Sequence, residues 1–468
     1  MTTTLQGLDS EFPVIRSAAY LNHAASSPLP HRSAEALRRY AADRERLVHL
    51  YQAGRQDYDC QALQTKLCRL LGAAPGSVSF VPTTTDGVSG ILNGIDWRPG
   101  DNVLVPANEF PGVVYACLAL ARRGVEVRQV PVEDHLDLGS LFARADRRTR
   151  AVAVSHVHWQ SGHRIDVARF ARECRAVGAL SIVDAIQSVG SVPVDVTATG
   201  VDVLVAGTYK WLMAIPGAAV LYVSEAALAA VVPDRAGWTS MATSVHGEPK
   251  LAWARGAARF LVGGRPDPVL IALEQSVDLL LELGVGAIAA HTAHLIDRLL
   301  AGAAAAGVVV RSGPEPEHRS AIVSITTGNA SRDESVVREL GRTPALAVDR
   351  HKVLQILVNL LKNSKSAMDL QQPKQQKVTI RVGMAPDGHV KFAISDNGIG
   401  ISPENQRKLF RHGFTTKKDG HGFGLHSVAN AAREMGGRVS AFSAGTGTGA
   451  SFTLELPPAK ETVKAKAK

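Results

Sequence analysis

Long apolar runs are missing from this 468-residue chain. None approaches the ~20 residues that span a bilayer. The greasiest stretch, Val201 to Val232, is broken by Lys210, Pro216 and Glu225, so no membrane association is expected. The opening MTTTLQGLDSEF is polar and acidic, unlike a secretory signal, and points to a cytoplasmic location. Cysteine is scarce: Cys60, Cys68, Cys117 and Cys174, all in the first half and none with metal-type spacing. Buried reduced thiols are the expectation. Dense basic runs are missing too, despite a formal net charge of +9. The one exception, the closing AKETVKAKAK, reads as a solvated tail, so nucleic acid is not an expected partner. What is present is an ordinary globular composition, 45% hydrophobic and 20% charged, in a chain long enough for two or three domains.

From about Ser77 to Val223, short apolar runs alternate with longer amphipathic ones. SVSFVP, NVLVPA, VEVRQVPV, AVAVSHV, LSIVDA, DVLVAG and AAVLYV read as buried strands, with VVYACLALARRG and DVARFARECRAVG as helices between them. Repeated βα units predict an α/β fold with a mostly parallel sheet, helices on both faces, and ligands at the carboxyl ends of the strands. A long helical region and a strand pair, GVVVRSG and AIVSITTG, follow. The character then changes to helix, strand, strand, loop, helix, strand, strand, which fits an α/β sandwich. The expected domains are 1–340, 341–460 and a basic tail, 461–468.

Four motifs in the first module point to one cofactor. FVPTTTDG ends a strand and opens a helix, where exposed amides and the hydroxyls of Thr84 and Thr85 suit a phosphate; an N-cap is the plain alternative. ANEFPG puts Phe110 at another strand end, where a flat ring can lie over a flat cofactor or simply join the core. SIVDAIQS puts Asp184 at the end of a buried strand, and a carboxylate there needs a partner, whether a salt bridge or a protonated pyridine nitrogen. VAGTYKW puts Lys210 just past the next strand, enclosed, where an amine is costly unless its pKa drops or it forms an imine with an aldehyde.

In this order, and with the opening YLNHAASSPLP, residues of about 15 to 330 resemble the class V aminotransferase and cysteine desulfurase family of fold type I PLP enzymes. The resemblance implies that Lys210 links covalently to pyridoxal 5'-phosphate and shuttles the proton. It implies that Asp184 pairs with the pyridine nitrogen, Gln187 with the ring hydroxyl, and that Phe110 stacks on the ring. Thr84, Thr85 and Thr208 would hold the phosphate, and His158 would lie near the cofactor face. A homodimer and a small amino acid or keto acid as substrate are implied with it. Three departures stand out. No cysteine follows Cys174, so the persulfide chemistry of desulfurases is not expected. The family's turn that reaches the neighbouring subunit's phosphate reads GGRPDP here, without its threonine. The family's small lobe, with its carboxylate-clamping arginine, gives way to the second module.

In that second module, HKVLQILVNLLKNSKSAM places Asn359 and Asn363 one turn apart on one helix face, and an amide oxygen is a suitable ligand for phosphate-bridging Mg²⁺, with Asn363 as the metal candidate. Lys365 is expected to add positive charge nearby. FAISDNGIGIS ends a strand with Asp396, a candidate acceptor for an adenine amino group, followed by Gly398 and Gly400. KKDGHGFGLHSVANAA sets Gly420, Gly422 and Gly424 before a helix, again facing phosphate, and SAGTGTGASFTLELP closes the set. These boxes, with LFRHGFTTK between them, resemble the N, G1, F, G2 and G3 boxes of histidine-kinase-type GHKL ATPase domains, which implies a Bergerat ATP-binding fold, ATP and Mg²⁺. The stretch from about Ile401 to Asp419 is the expected lid. None of the sixteen histidines has the context of a phospho-acceptor, so any acceptor or response regulator would act in trans. Three readings stay open: a PLP enzyme with a nucleotide-binding domain, a kinase-like ATP-binding protein on a non-catalytic PLP-fold scaffold, or an uncoupled fusion.

Overall fold

The computed structural model describes residues 8–16, 20–47, 58–132, 137–242, 250–305, 307–313, 315–341, 350–373, 375–385, 387, 389–410, 412–415 and 424–457. By its internal contacts the chain divides into two compact units, 1–12 with 21–330, and 13–20 with 331–468.

The first unit is built on a seven-stranded sheet: β1 (Val78–Val81), β2 (Asn102–Pro106), β3 (Glu126–Val130), β4 (Thr149–Ser155), β5 (Leu180–Asp184), β6 (Val203–Gly207) and β7 (Ala219–Val223). Their spatial order is β1-β7-β6-β5-β4-β2-β3. All neighbours pair in parallel except β7, which runs antiparallel to both β6 and β1. Alternate residues of the Val- and Ile-rich strands point to opposite faces, and each face has its own core. One gathers Leu104, Val152, Val154, Val183 and Leu204 beneath Leu63, Phe170, Leu270 and Leu273. The other gathers Val103, Val105, Ala151, Ile182 and Val205 beneath Val88, Ile91, Val113 and Cys117. Each large apolar side chain buried this way contributes about 1.5–3 kcal/mol, which is why both faces must be covered. Local signals set the helix ends: Asp166 caps Val167–Val177 through the Arg169 amide, and Gly178 closes it in the left-handed conformation. A two-stranded ribbon, β8 (Val309–Val310) with β9 (Ile325–Thr326), ends the unit.

The second unit is a two-layer sandwich. Its antiparallel sheet runs β10-β11-β13-β12, from β10 (Val378–Met384), β11 (Val390–Asp396), β12 (Arg438–Phe442) and β13 (Ala450–Leu456). Burial alternates strictly along β13, and Phe452, Leu454 and Ile394 pack with Ile356 and Leu360 of the helix Arg350–Gln371 and Val428 of the helix Gly424–Glu434. The fold class read from the sequence, a mostly parallel PLP-type sheet followed by an α/β ATPase sandwich, is the one observed.

Among the described residues no single helix is long and apolar enough to cross a membrane. One bent pair, Asp267–Leu283 with Val285–Ala305, meets the length and composition requirement across a 74° bend.

Candidate functional site

A cleft of about 140 Å³ opens at the carboxyl ends of the parallel strands. Thr83, Thr84 and Thr85 follow β1, Phe110 follows β2, Ser155 ends β4, Asp184 ends β5, Gly207 ends β6, and Lys210 lies three residues further on; all line it. The strand order explains the convergence, because it sets β4, β5 and β6 side by side, with Ser155 and Asp184 paired in register.

Thr83 caps the helix Thr84–Gly94 through the Asp86 amide, leaving the next hydroxyl uncommitted. Thr84 Oγ1 is buried and has no hydrogen-bond partner. Gly207 makes room beside it, since a Cβ there would stand 2.7 Å from the Ile186 side chain and 3.1 Å from Thr84 Oγ1. A buried donor without a partner costs on the order of 1–3 kcal/mol, so a hydroxyl left this way at a helix start fits an oxyanion ligand.

Lys210 is 9% exposed, and burial lowers its pKa while Asp184 opposes the shift. Among the described residues its Nζ has no hydrogen bond or ion pair. The Asp184 carboxyl is pushed up to about 7, first by burial. The Ile186 amide, donating to Oδ1 at 2.9 Å, and the Lys210 amine hold it down, and Glu109 pushes it further up. Beside it, His156 is driven down to about 3 by burial and stays neutral. The cleft thus sets an amine biased towards its nucleophilic form opposite a carboxyl with which it forms no ion pair, and both fit an aldehyde cofactor carrying a ring nitrogen.

The Asp184 shift predicts a pH effect. A carboxyl that holds its proton more tightly folded than unfolded stabilises fully below its ordinary value of 3.8, and the gain is lost as pH rises to about 7, some ~4 kcal/mol in all. Asp184→Asn should remove that slope in cofactor-free protein. Denaturant titrations of both proteins at pH 4 and pH 7.5 measure it; an unchanged difference between them would sink the assignment.

The other expected residues divide. Gln187 is buried at the cleft, but its amide already donates to the Ala24 carbonyl (2.9 Å) and accepts from Trp211 (3.0 Å), leaving one amide hydrogen for a ligand. Thr85 and Phe110 line the cleft; Phe110 meets Trp159 edge to face at 5.8 Å. Thr208 does not line it: its hydroxyl turns to the Ile215 and Ala218 carbonyls and braces the Lys210 turn. His158 is not on the lining either, its ring nitrogens being taken by Ser161 Oγ (3.1 Å) and the Asn108 carbonyl (2.9 Å). Sequence reasoning missed Ser155, Trp159, Tyr209 and, behind them, Glu109. The opening segment also reaches the site, where Ser27 bonds the Tyr209 and Lys210 carbonyls. None of the four cysteines, all free thiols, lines the cleft.

In the second unit, Asn359 and Asn363 sit half-buried one turn apart on the helix Arg350–Gln371. Asp396 is 9% exposed; its Oδ1 accepts from the Gly398 and Ala450 amides, whereas Oδ2 is buried without a partner. Gly398 lies against that helix, where a Cβ would stand 2.6 Å from the Ala367 carbonyl carbon. Gly400, at φ 73°, lies against the Gly445 carbonyl. Gly424 starts the helix Gly424–Glu434; Gly420 and Gly422 lie outside the described residues. Lys365 needs correction. Two positions on from Asn363, it is rotated by about 200° to the other side of the helix. There it is exposed and paired with Asp369 at 2.9 Å.

Residues 19–387 match the family described as aminotransferase class-V, and residues 348–460 match the histidine kinase-, DNA gyrase B- and HSP90-like ATPase family, the two matches overlapping. An uncharacterized aminotransferase, YcbU, of Bacillus subtilis is 31% identical over 229 residues, 49% of this chain and 60% of that protein. A probable cysteine desulfurase of Methanothermobacter thermautotrophicus is 26% identical over 72% of this chain and 85% of its own. Among solved structures, a C-DES variant with glycine covalently linked to its PLP cofactor superposes with a TM-score of 0.64 at 25% identity, covering 71% of this chain and 89% of that one.

Proposed function

We propose, from the premise that the chain belongs to the class-V aminotransferase family, that its first unit is a PLP-dependent enzyme acting on a small amino acid or keto acid and its second a Mg²⁺–ATP-binding domain of the histidine-kinase type. The observation that carries the first half is the Lys210 amine and the Asp184 carboxyl in one cleft, beside the unpartnered Thr84 hydroxyl. Bound there, PLP supplies an electron sink. Lys210 is the residue that would hold it and that would carry the proton at a substrate's α-carbon. Asp184 would keep the ring nitrogen protonated, Phe110 would cover the ring, and Thr84 and Thr85 with the helix amides would bind the phosphate.

The remote cysteines bear on the reaction type. A desulfurase that carries persulfide on its own cysteine needs a thiol at the site, and this cleft has none. The structural relative C-DES is described as a cystine C–S lyase. Transamination or elimination, driven by Lys210 alone, is the chemistry this lining supports. Domain limits near residue 340, a homodimer, a cytoplasmic setting and a phospho-acceptor in trans belong to the same proposal. A second reading, an ATP-binding protein on a PLP-fold scaffold, draws on one observation: Lys210 is the only basic side chain among the described residues lining the cleft, so none of them clamps a substrate carboxylate.

The test is mass spectrometry of the full chain incubated with pyridoxal phosphate, with and without borohydride. A fixed pyridoxyl group on the Lys210 peptide is the expected result. No adduct at Lys210 would refute the enzyme reading, and an adduct without turnover of any amino acid would favour the scaffold.

A further inference from the structure

Glu109 is 5% exposed at the end of the loop that leaves β2, and its carboxylate collects three hydrogen bonds. Oε2 accepts from the Ser155 amide at 2.7 Å; Oε1 accepts from the Phe110 amide at 2.7 Å and from the Ser155 hydroxyl. One side chain therefore ties the loop after β2 to the end of β4, the strand whose last residue pairs with Asp184. The loop is held at a second point as well, where His158 and Trp159 both reach the Asn108 carbonyl. Two of Glu109's three donors come from Ser155 and the third from Phe110, both of which line the cleft.

We infer that Glu109 is a positioning residue of the cofactor site: it fixes the ring-covering Phe110 and the Ser155 hydroxyl to each other, so that the pocket wall stands ready before the cofactor binds. The inference rests on the PLP reading above. Preorganised walls bind more tightly because less side-chain freedom is lost on binding. Burying a carboxylate for fold stability alone is a poor bargain, since an apolar replacement of similar shape commonly does as well. Its charge also reaches the chemistry, since it pushes the Asp184 carboxyl up and the buried Cys117 thiol with it. The titratable and polar groups around this pair are Asp184 from β5, Ser155 from β4, Tyr209 and Lys210 from the turn after β6, Cys117 from the helix Pro111–Leu118, and His156 and His158 after β4.

The experiment titrates the full chain with pyridoxal phosphate by absorbance, follows the bound chromophore against pH, and records thermal midpoints, for wild type, Glu109→Gln and Glu109→Asp. Glu109→Gln loses both the charge and one acceptor. It should bind pyridoxal phosphate about tenfold more weakly or worse, and move the chromophore's pH midpoint downward, because a nearby negative charge that favours the protonated form is gone. Glu109→Asp keeps the charge but falls one methylene short, so it should weaken binding while leaving the pH midpoint in place. If Glu109→Gln lowers only the thermal midpoint, with affinity and pH midpoint at wild-type values, Glu109 is merely structural and the inference is wrong. Should Glu109→Gln not fold, wild-type affinity in Glu109→Asp overturns it equally. If the wild-type chain itself takes up no pyridoxal phosphate, the functional reading fails first and this one falls with it.

Discussion

Lys210→Ala should abolish the borohydride-fixed pyridoxyl group and lower turnover by roughly 10³-fold or more, the combined scale of lost covalent attachment and lost general base. The expectation follows from where the amine sits. It lies three residues past β6, in a turn braced by the Thr208 hydroxyl and by the Met213 amide, which donates to the Lys210 carbonyl at 3.0 Å. Met213 is held at φ 52°, a backbone conformation that non-glycine residues rarely adopt, so the turn is shaped at some cost. Burial lowers the pKa and thereby raises the fraction of neutral, nucleophilic amine, while Asp184 keeps that drop in check. Lys210→Arg is the informative partner variant. It retains a cation opposite Asp184 but cannot form the covalent bond, so it should separate electrostatic support from attachment. An adduct that persists in Lys210→Ala, mapped to another lysine, would show that the assigned amine is not the one that reacts.

What the sequence made legible was short-range. Thr84, Phe110, Asp184 and Lys210 each sit within a few residues of a strand end, and a parallel sheet sets all such ends along one side. The contacts that depend on strand order were opaque. Glu109 and Ser155 meet only because β2 lies beside β4, which nothing in either segment announces; the one available signal was a carboxylate inside the apolar stretch VPANEF. Thr208 and His158 had the right chemistry and neighbourhood, but side-chain direction decided against them, since nearby carbonyls claimed the hydroxyl and one imidazole nitrogen. Lys365 is different. Helical arithmetic alone places it opposite Asn363.

Asp396→Asn should weaken ATP binding by about 10- to 100-fold, the scale of a lost hydrogen bond to a charged group, and should reduce or invert any preference for ATP over GTP. The two oxygens of Asp396 are not equivalent. Oδ1 accepts from the Gly398 amide at 3.0 Å and the Ala450 amide at 3.3 Å, so in the variant the amide oxygen must take that place. The new NH₂ group is then forced into the position of Oδ2, the buried atom that has no partner. A carboxylate oxygen there can accept from the exocyclic amino group of adenine; an NH₂ group can only donate, as the carbonyl oxygen of guanine would require. Because the backbone contacts survive, the fold should persist, and calorimetric titration of the full chain with Mg²⁺–ATP and Mg²⁺–GTP reads the change. Equal ATP affinity in variant and wild type would mean that Oδ2 faces something other than the base, and the adenine assignment would have to be abandoned.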